Sequence, residues 1–195
     1  AWGSKTYYGQ MRLDALPAES AGELLEALLG DDPELAPLKQ RLVKRGNPFF
    51  LEENVRTLVE TKTLVGERGR YRLTQPVQAI QVPPTVQVML AARIDRLAPE
   101  DKRLLQTASV VGKDVPFALL QAIAELPDEG LRGGLDRLQS AEFLYETGLY
   151  PDPEYSFTHA LTHEVTYGGL LQERRRELHA RIVEAIEMLQ RERLG

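Results

Sequence analysis

Two of the chain's three histidines, His159 and His163, fall in the segment SFTHALTHEV (residues 156–165), and Glu164 follows the second directly. On a helix, a spacing of four puts both imidazoles on one face. Neutral imidazoles so placed can share a zinc ion. A zinc site would need one or two further ligands, and only His179 and scattered carboxylates remain. The HExxH order with its general base is also missing, so no metal is expected. The other reading is a helix start, with Ser156 or Thr158 as the cap and His159 in the first turn. There the helix dipole disfavours a positive imidazole, which leaves His159 neutral with one N–H to donate. An anion at the same place reverses that balance, because imidazolium and open backbone N–H groups then bind it together. His163, one turn deeper, reads as structural.

Other sequences that suggest chemistry fall short. VVGKDVP contains Gly112-Lys113, but a phosphate loop needs glycine five residues before Gly112 and Ser or Thr after the lysine. Thr107 and Asp114 stand there. No serine has a nucleophile-elbow context. Cysteine is absent altogether, which removes thiolate metal sites, disulfides and Cys nucleophiles. The basic run ERRREL, from Glu173 to Leu178, is flanked by acids and reads as a solvated helix face. Catalysis by this stretch of chain is not expected.

The elements that must position these residues follow from periodicity. The fold class expected is mainly α with short β-hairpins. KTYYGQMRLDALP alternates as a strand, with Tyr7, Gly9, Met11 and Leu13 on one side. A helix is expected over Glu19–Leu29, stopped by Gly30, and another over Pro33–Lys44, stopped by Gly46. Asn47 and Pro48 are a suitable cap and first residue for the next helix. TLV and RYRL flank Gly66-Glu67-Arg68-Gly69, a hairpin signal. The proline-marked stretch TQPVQAIQVPP is the expected internal boundary. Beyond it, helices are expected at Thr85–Leu97, Glu100–Val111, Phe117–Glu125 and Asp128–Ser140. Two strands around Gly148 and helices at Thr158–Leu171 and Glu173–Arg193 complete the list. Leu178, Ile182, Ile186 and Leu189 give the last helix a stripe that nothing local need cover. That stripe and the unpaired strand at Tyr7–Leu13 predict self-association.

Three helices and a hairpin between Glu100 and Phe157 are in winged-helix order, which raises DNA or a partner protein as the ligand of a transcriptional regulator. The charges argue against DNA. With 24 basic and 29 acidic side chains the net charge is −5. In DEGLRGGLDRLQSA, the segment that would enter the groove, Asp128, Glu129 and Asp136 outnumber Arg132 and Arg137. Gly133-Gly134 weakens that helix further. No apolar run is long enough for a membrane span and no signal-peptide pattern opens the chain, so a cytoplasmic setting with no membrane partner is expected. The start at Ala1-Trp2-Gly3-Ser4 reads as a cut into a longer chain.

Three segments in one order carry a family resemblance: RGNPFFLEENVRTLVE, VPPTVQVMLAARIDRLAPEDKRLLQTASVVG and YSFTHALTHEVTYGGLLQERRRELHARI. Together they resemble the region after the ATPase core in bacterial STAND-class, AAA-type signalling ATPases. The nearest likeness is to multidomain adenylate/guanylate cyclases with C-terminal tetratricopeptide repeats, and similar segments occur in large LuxR-type regulators. The resemblance implies that residues 1–16 are the last strand of an ATPase core and residues 17–82 its helical lid. It implies a winged-helix domain at 83–172 and, at 173–195, a helix leading into repeats. The partners implied are the upstream core and the downstream repeats. In such proteins the lid's GxP motif packs near the adenine of bound ATP or ADP, which here corresponds to Gly46, Asn47 and Pro48. The winged helix places a histidine by the β-phosphate in the closed ADP form, and His159 is the match. Walker A, Walker B and the sensor residues are absent from this stretch, so tight nucleotide binding by it alone is not expected.

Overall fold

A computed structural model describes residues 16–148 and 153–194; the strand expected at Tyr7–Leu13 lies outside them. The chain divides into two compact units, Ala1–Val86 and Gln87–Gly195. It is mainly α with two small antiparallel sheets, the class its periodicities indicate.

In the first unit, α1 (Ala18–Leu29) buries Ala21, Leu25, Leu28 and Leu29 on one stripe. It ends at Gly30, whose φ of 94° suits glycine and whose N–H donates to Glu26 O. The helix expected over Pro33–Lys44 is instead two pieces. A 3-10 turn at Pro33–Leu35, capped by the Asp32 carboxylate, precedes α2 (Ala36–Val43). The cause is Pro37: lacking an N–H, it cannot return an α-helical bond to Pro33, so the first turn tightens and the α-helix begins afresh. Next come α3 (Pro48–Glu60), β1 (Leu64–Glu67), β2 (Arg70–Leu73) and a 3-10 turn at Val77–Ala79. The register pairs Glu67 with Arg70 and leaves Arg68-Gly69 as the hairpin tip. Gly69 N–H donates to Leu28 O at 2.9 Å, which ties that tip to the end of α1.

The second unit contains α4 (Val86–Asp95), α5 (Pro99–Val111), β3 (Asp114–Pro116), α6 (Phe117–Ile123) and α7 (Asp128–Ser140). After them come β4 (Leu144–Glu146), β5 (Glu154–Phe157), α8 (Ala160–Gly168) and α9 (Gln172–Leu194). The sheet order is β3-β5-β4, antiparallel throughout, so the last strand is central. That position accounts for its three consecutive buried residues, Tyr155, Ser156 and Phe157. β3 is too short for its period to show in the sequence. The core joins Leu105, Ala108, Leu120, Leu135, Phe143 and Phe157, among others.

Two features correct the sequence reading. Gly134, taken there as a weakness of its helix, is buried where α7 meets α5, and a Cβ on it would come within 2.7 Å of Leu104 Cδ2. The same contact carries the Asp101 carboxylate, which accepts from Arg137 Nε at 2.8 Å and Nη2 at 2.7 Å. The apolar stripe of α9 is covered over its first half. Leu178 packs with Val110 and Leu170, Ile182 joins them, and Ala185 is buried. An ion pair from Arg181 to Glu125, just past α6, adds a polar tie. Val183, Ile186 and Met188 are exposed, Ile186 being the first residue of the expected stripe that lies open. Among the described residues, no helix is long and apolar enough to cross a membrane.

Candidate functional site

The sequence singled out two places, and they belong to different units: Gly46, Asn47 and Pro48 to the first, His159 to the second.

At the first place, α2 gives way to α3 within four residues. Arg45 and Gly46 donate back to Leu42 O and Val43 O, which closes the end of α2. Gly46 then takes φ of 60°, the left-handed region that glycine enters at little cost, and its carbonyl accepts from Leu16 N–H. Asn47 is extended and caps α3: its side-chain oxygen accepts from Phe50 N–H at 3.1 Å. Pro48 is the first helical residue, where a missing N–H leaves nothing unpaired. The Asn47 amide oxygen is thus committed to the helix. What the place offers outward is the exposed Pro48 ring together with Arg45, whose guanidinium lies 5.4 Å from the Phe50 ring centroid.

At the second place, the sheet runs directly into a helix. Ser156 is in β5, with its hydroxyl donating to Asp114 Oδ1 at 2.8 Å. Thr158 N–H donates to Phe143 O, which ties Thr158 to the sheet one residue beyond β5. Neither residue caps the helix, contrary to the sequence reading. The cap position is occupied by His159 itself, extended at φ −140° and ψ 141°, with no side-chain capping bond. Its carbonyl accepts from Thr162 and His163 N–H. His159 therefore stands one residue before the first turn of α8. The first N–H groups of a helix have no partner within it, and those of α8 follow His159 directly in the chain.

His163 faces inward. Its Nε2 is 2.8 Å from Ser109 O, its ring meets Phe157 edge-on at 5.1 Å, and Tyr167 stacks at 6.2 Å. A carbonyl can only accept, so Nε2 carries the proton. Ser109 is in the last turn of α5, where carbonyls lack intrahelical donors, and the histidine supplies one. The two histidines consequently do different things, although their spacing puts them on one helix. Tyr167 OH is 3.3 Å from His179 Nε2. Among the described residues, no group of three or more His, Asp and Glu side chains is arranged to hold a metal ion.

Sequence reasoning missed two contacts. One is the Ser109 carbonyl, since a backbone acceptor has no signature in residue type. The other is Arg175, read as part of a solvated face. It lies 4.4 Å from the Tyr167 ring centroid, donates from Nη2 to Gly168 O, and has a buried Nε with no partner. Arg174, its neighbour, does pair with Glu177 at the surface, as a solvated face would. Gly112, in the rejected phosphate-loop sequence, ends α5 with φ of 147°, and the Lys113 carbonyl accepts from Phe157 N–H.

Compared with family models and with curated protein sequences, the chain matches none.

Proposed function

We propose that this chain is the nucleotide-responsive regulatory part, lid and winged helix, of a multidomain signalling ATPase of the adenylate/guanylate cyclase kind. It has no catalysis of its own: it closes over ADP held by an upstream ATPase core and opens with ATP. The observation that carries this reading is His159. It stands at the cap of α8, extended, where the central strand of the sheet delivers it. A β-phosphate there would meet both the imidazole and the N–H groups of the first turn. The order α5, β3, α6, α7, β4, β5 with β5 in the middle supports the winged-helix part of the reading. The turn of Gly46 and the capped start of α3 at Pro48 support the lid part.

The DNA-binding alternative loses ground on the side chains of α7. Arg137 is held by the buried Asp101, and Arg132 is bonded to Asp128 and lies 4.5 Å from the Phe117 ring centroid. Both cations that phosphates would need are already engaged, and acids surround them.

The test is ADP release from the full-length polypeptide that carries the ATPase core. Coupling between sites is commonly worth about 5- to 150-fold, so His159→Ala is expected to speed ADP release by roughly tenfold. Unchanged release and unchanged ADP affinity would sink the proposal.

A further inference from the structure

We propose that the outer face of α2 is a docking surface for an acidic peptide segment carrying apolar side chains. Residues 36–51 contain Lys39, Arg41, Lys44 and Arg45 and not one acid. Their context makes that run unusual. Residues 1–86 carry 11 basic and 11 acidic side chains and residues 87–195 carry 13 and 18. The run is thus a local concentration of positive charge in a chain that is otherwise balanced or acidic.

The apolar hold on α2 does not involve those cations. α2 is held by Leu38 and Leu42, both fully buried, on its inward face. Outward lies a groove of about 680 Å³, with Pro37, Val43 and Val77 contributing its apolar part. That volume is within the range of pockets that hold side chains or small ligands. Arg41 is fixed beside it by donating to Val77 O at 2.9 Å and Ile80 O at 3.1 Å. These acceptors are neutral, so the guanidinium is rigid but keeps its full charge. Lys44 also lines the groove and has no ion-pair partner among the described residues. Lys39 is the exception, shared between Glu26 and Gly30 O.

An apolar floor with a fixed, uncompensated positive rim fits a ligand that alternates acids with apolar groups. It does not fit nucleic acid or a nucleotide base: among the described residues that line the groove, none is aromatic, so a base finds no ring to stack on. The surface is also distinct from the nucleotide reading above, since it uses neither Pro48 nor His159.

The probe is a short fluorescent peptide of Glu with Leu at helical spacing, followed by anisotropy as the 195-residue protein is added. An all-Glu peptide of equal length and a single-stranded oligonucleotide serve as comparisons. Binding of the Glu/Leu peptide is expected, weakened at least about tenfold by Gln40→Glu with Lys44→Glu, a change on the order of that produced by reversing rim charges. Both positions are exposed, so the variant is expected to retain its helical circular dichroism. Equal affinity for the all-Glu peptide overturns the proposal, because the apolar floor would then be irrelevant. Tighter, variant-sensitive binding of the oligonucleotide overturns it in favour of nucleic acid. Absence of peptide binding, or binding indifferent to the two substitutions, also overturns it.

Discussion

His163→Ala tests the division of labour between the two histidines most directly. The wild-type ring supplies a donor to the Ser109 carbonyl at 2.8 Å, and Ser109 is 1% exposed. Removing the donor leaves a buried acceptor unpaired, which costs about 1–3 kcal/mol. The edge-on contact with Phe157 adds about 0.5–1.5 kcal/mol. Together they predict a loss of roughly 2–4 kcal/mol in the second unit. His163→Phe separates the two parts, since it retains a ring but no donor, and a loss of about 1–3 kcal/mol is expected for it. Urea unfolding followed by circular dichroism measures the total, and amide exchange in α5 and α8 shows where it falls. The tautomer is visible by ¹⁵N resonance: Nε2 should carry the proton. If both variants stay within about 0.5 kcal/mol of the wild type, the capping argument is refuted. If His163→Phe alone is silent, ring packing and not the α5 cap is what His163 provides.

Two further outcomes follow from local geometry. Gly30→Ala would force a side chain into φ of +94° with its Cβ 2.3 Å from Gly69 O. Strain of about 1–3 kcal/mol and loss of roughly 1 kcal/mol for the Gly69-to-Leu28 bond are expected. Faster exchange of the Gly69 amide and earlier melting of the first unit would be the readouts, and unchanged exchange would contradict the clasp. At the α6–α9 tie, Arg181 holds the Glu125 carboxyl below its ordinary value of 4.5, first by its hydrogen bond and then by its charge. Because the folded value lies below the unfolded one, the tie contributes fully at neutral pH and is lost as pH falls through the folded value. A carboxyl NMR titration should show that low midpoint, with Arg181→Gln returning it toward 4.5; a midpoint indifferent to Arg181 would remove the tie from the account.

What was legible in the sequence was what depends on nearest neighbours along the chain. The stop at Gly30, the Asn47-Pro48 start of α3 and the hairpin around Gly69 each rest on backbone chemistry that a residue carries with it. What could not be read was set by partners far away in sequence. Thr158 has the right type for a cap and stands one residue before His159, yet its N–H is claimed by Phe143, 15 residues upstream, across the sheet. That bond ties Thr158 to the sheet just beyond the end of β5, and the cap position passes to His159. Gly134 has the same logic: its cost to helix propensity is local, whereas its reason, the close approach of Leu104, comes from another helix. The candidate site is thus formed by a conflict that the sheet wins. The Phe143 bond carries the sheet's hydrogen bonding one residue past the end of β5 at Phe157, so the helix entrance falls to His159 and not to Thr158.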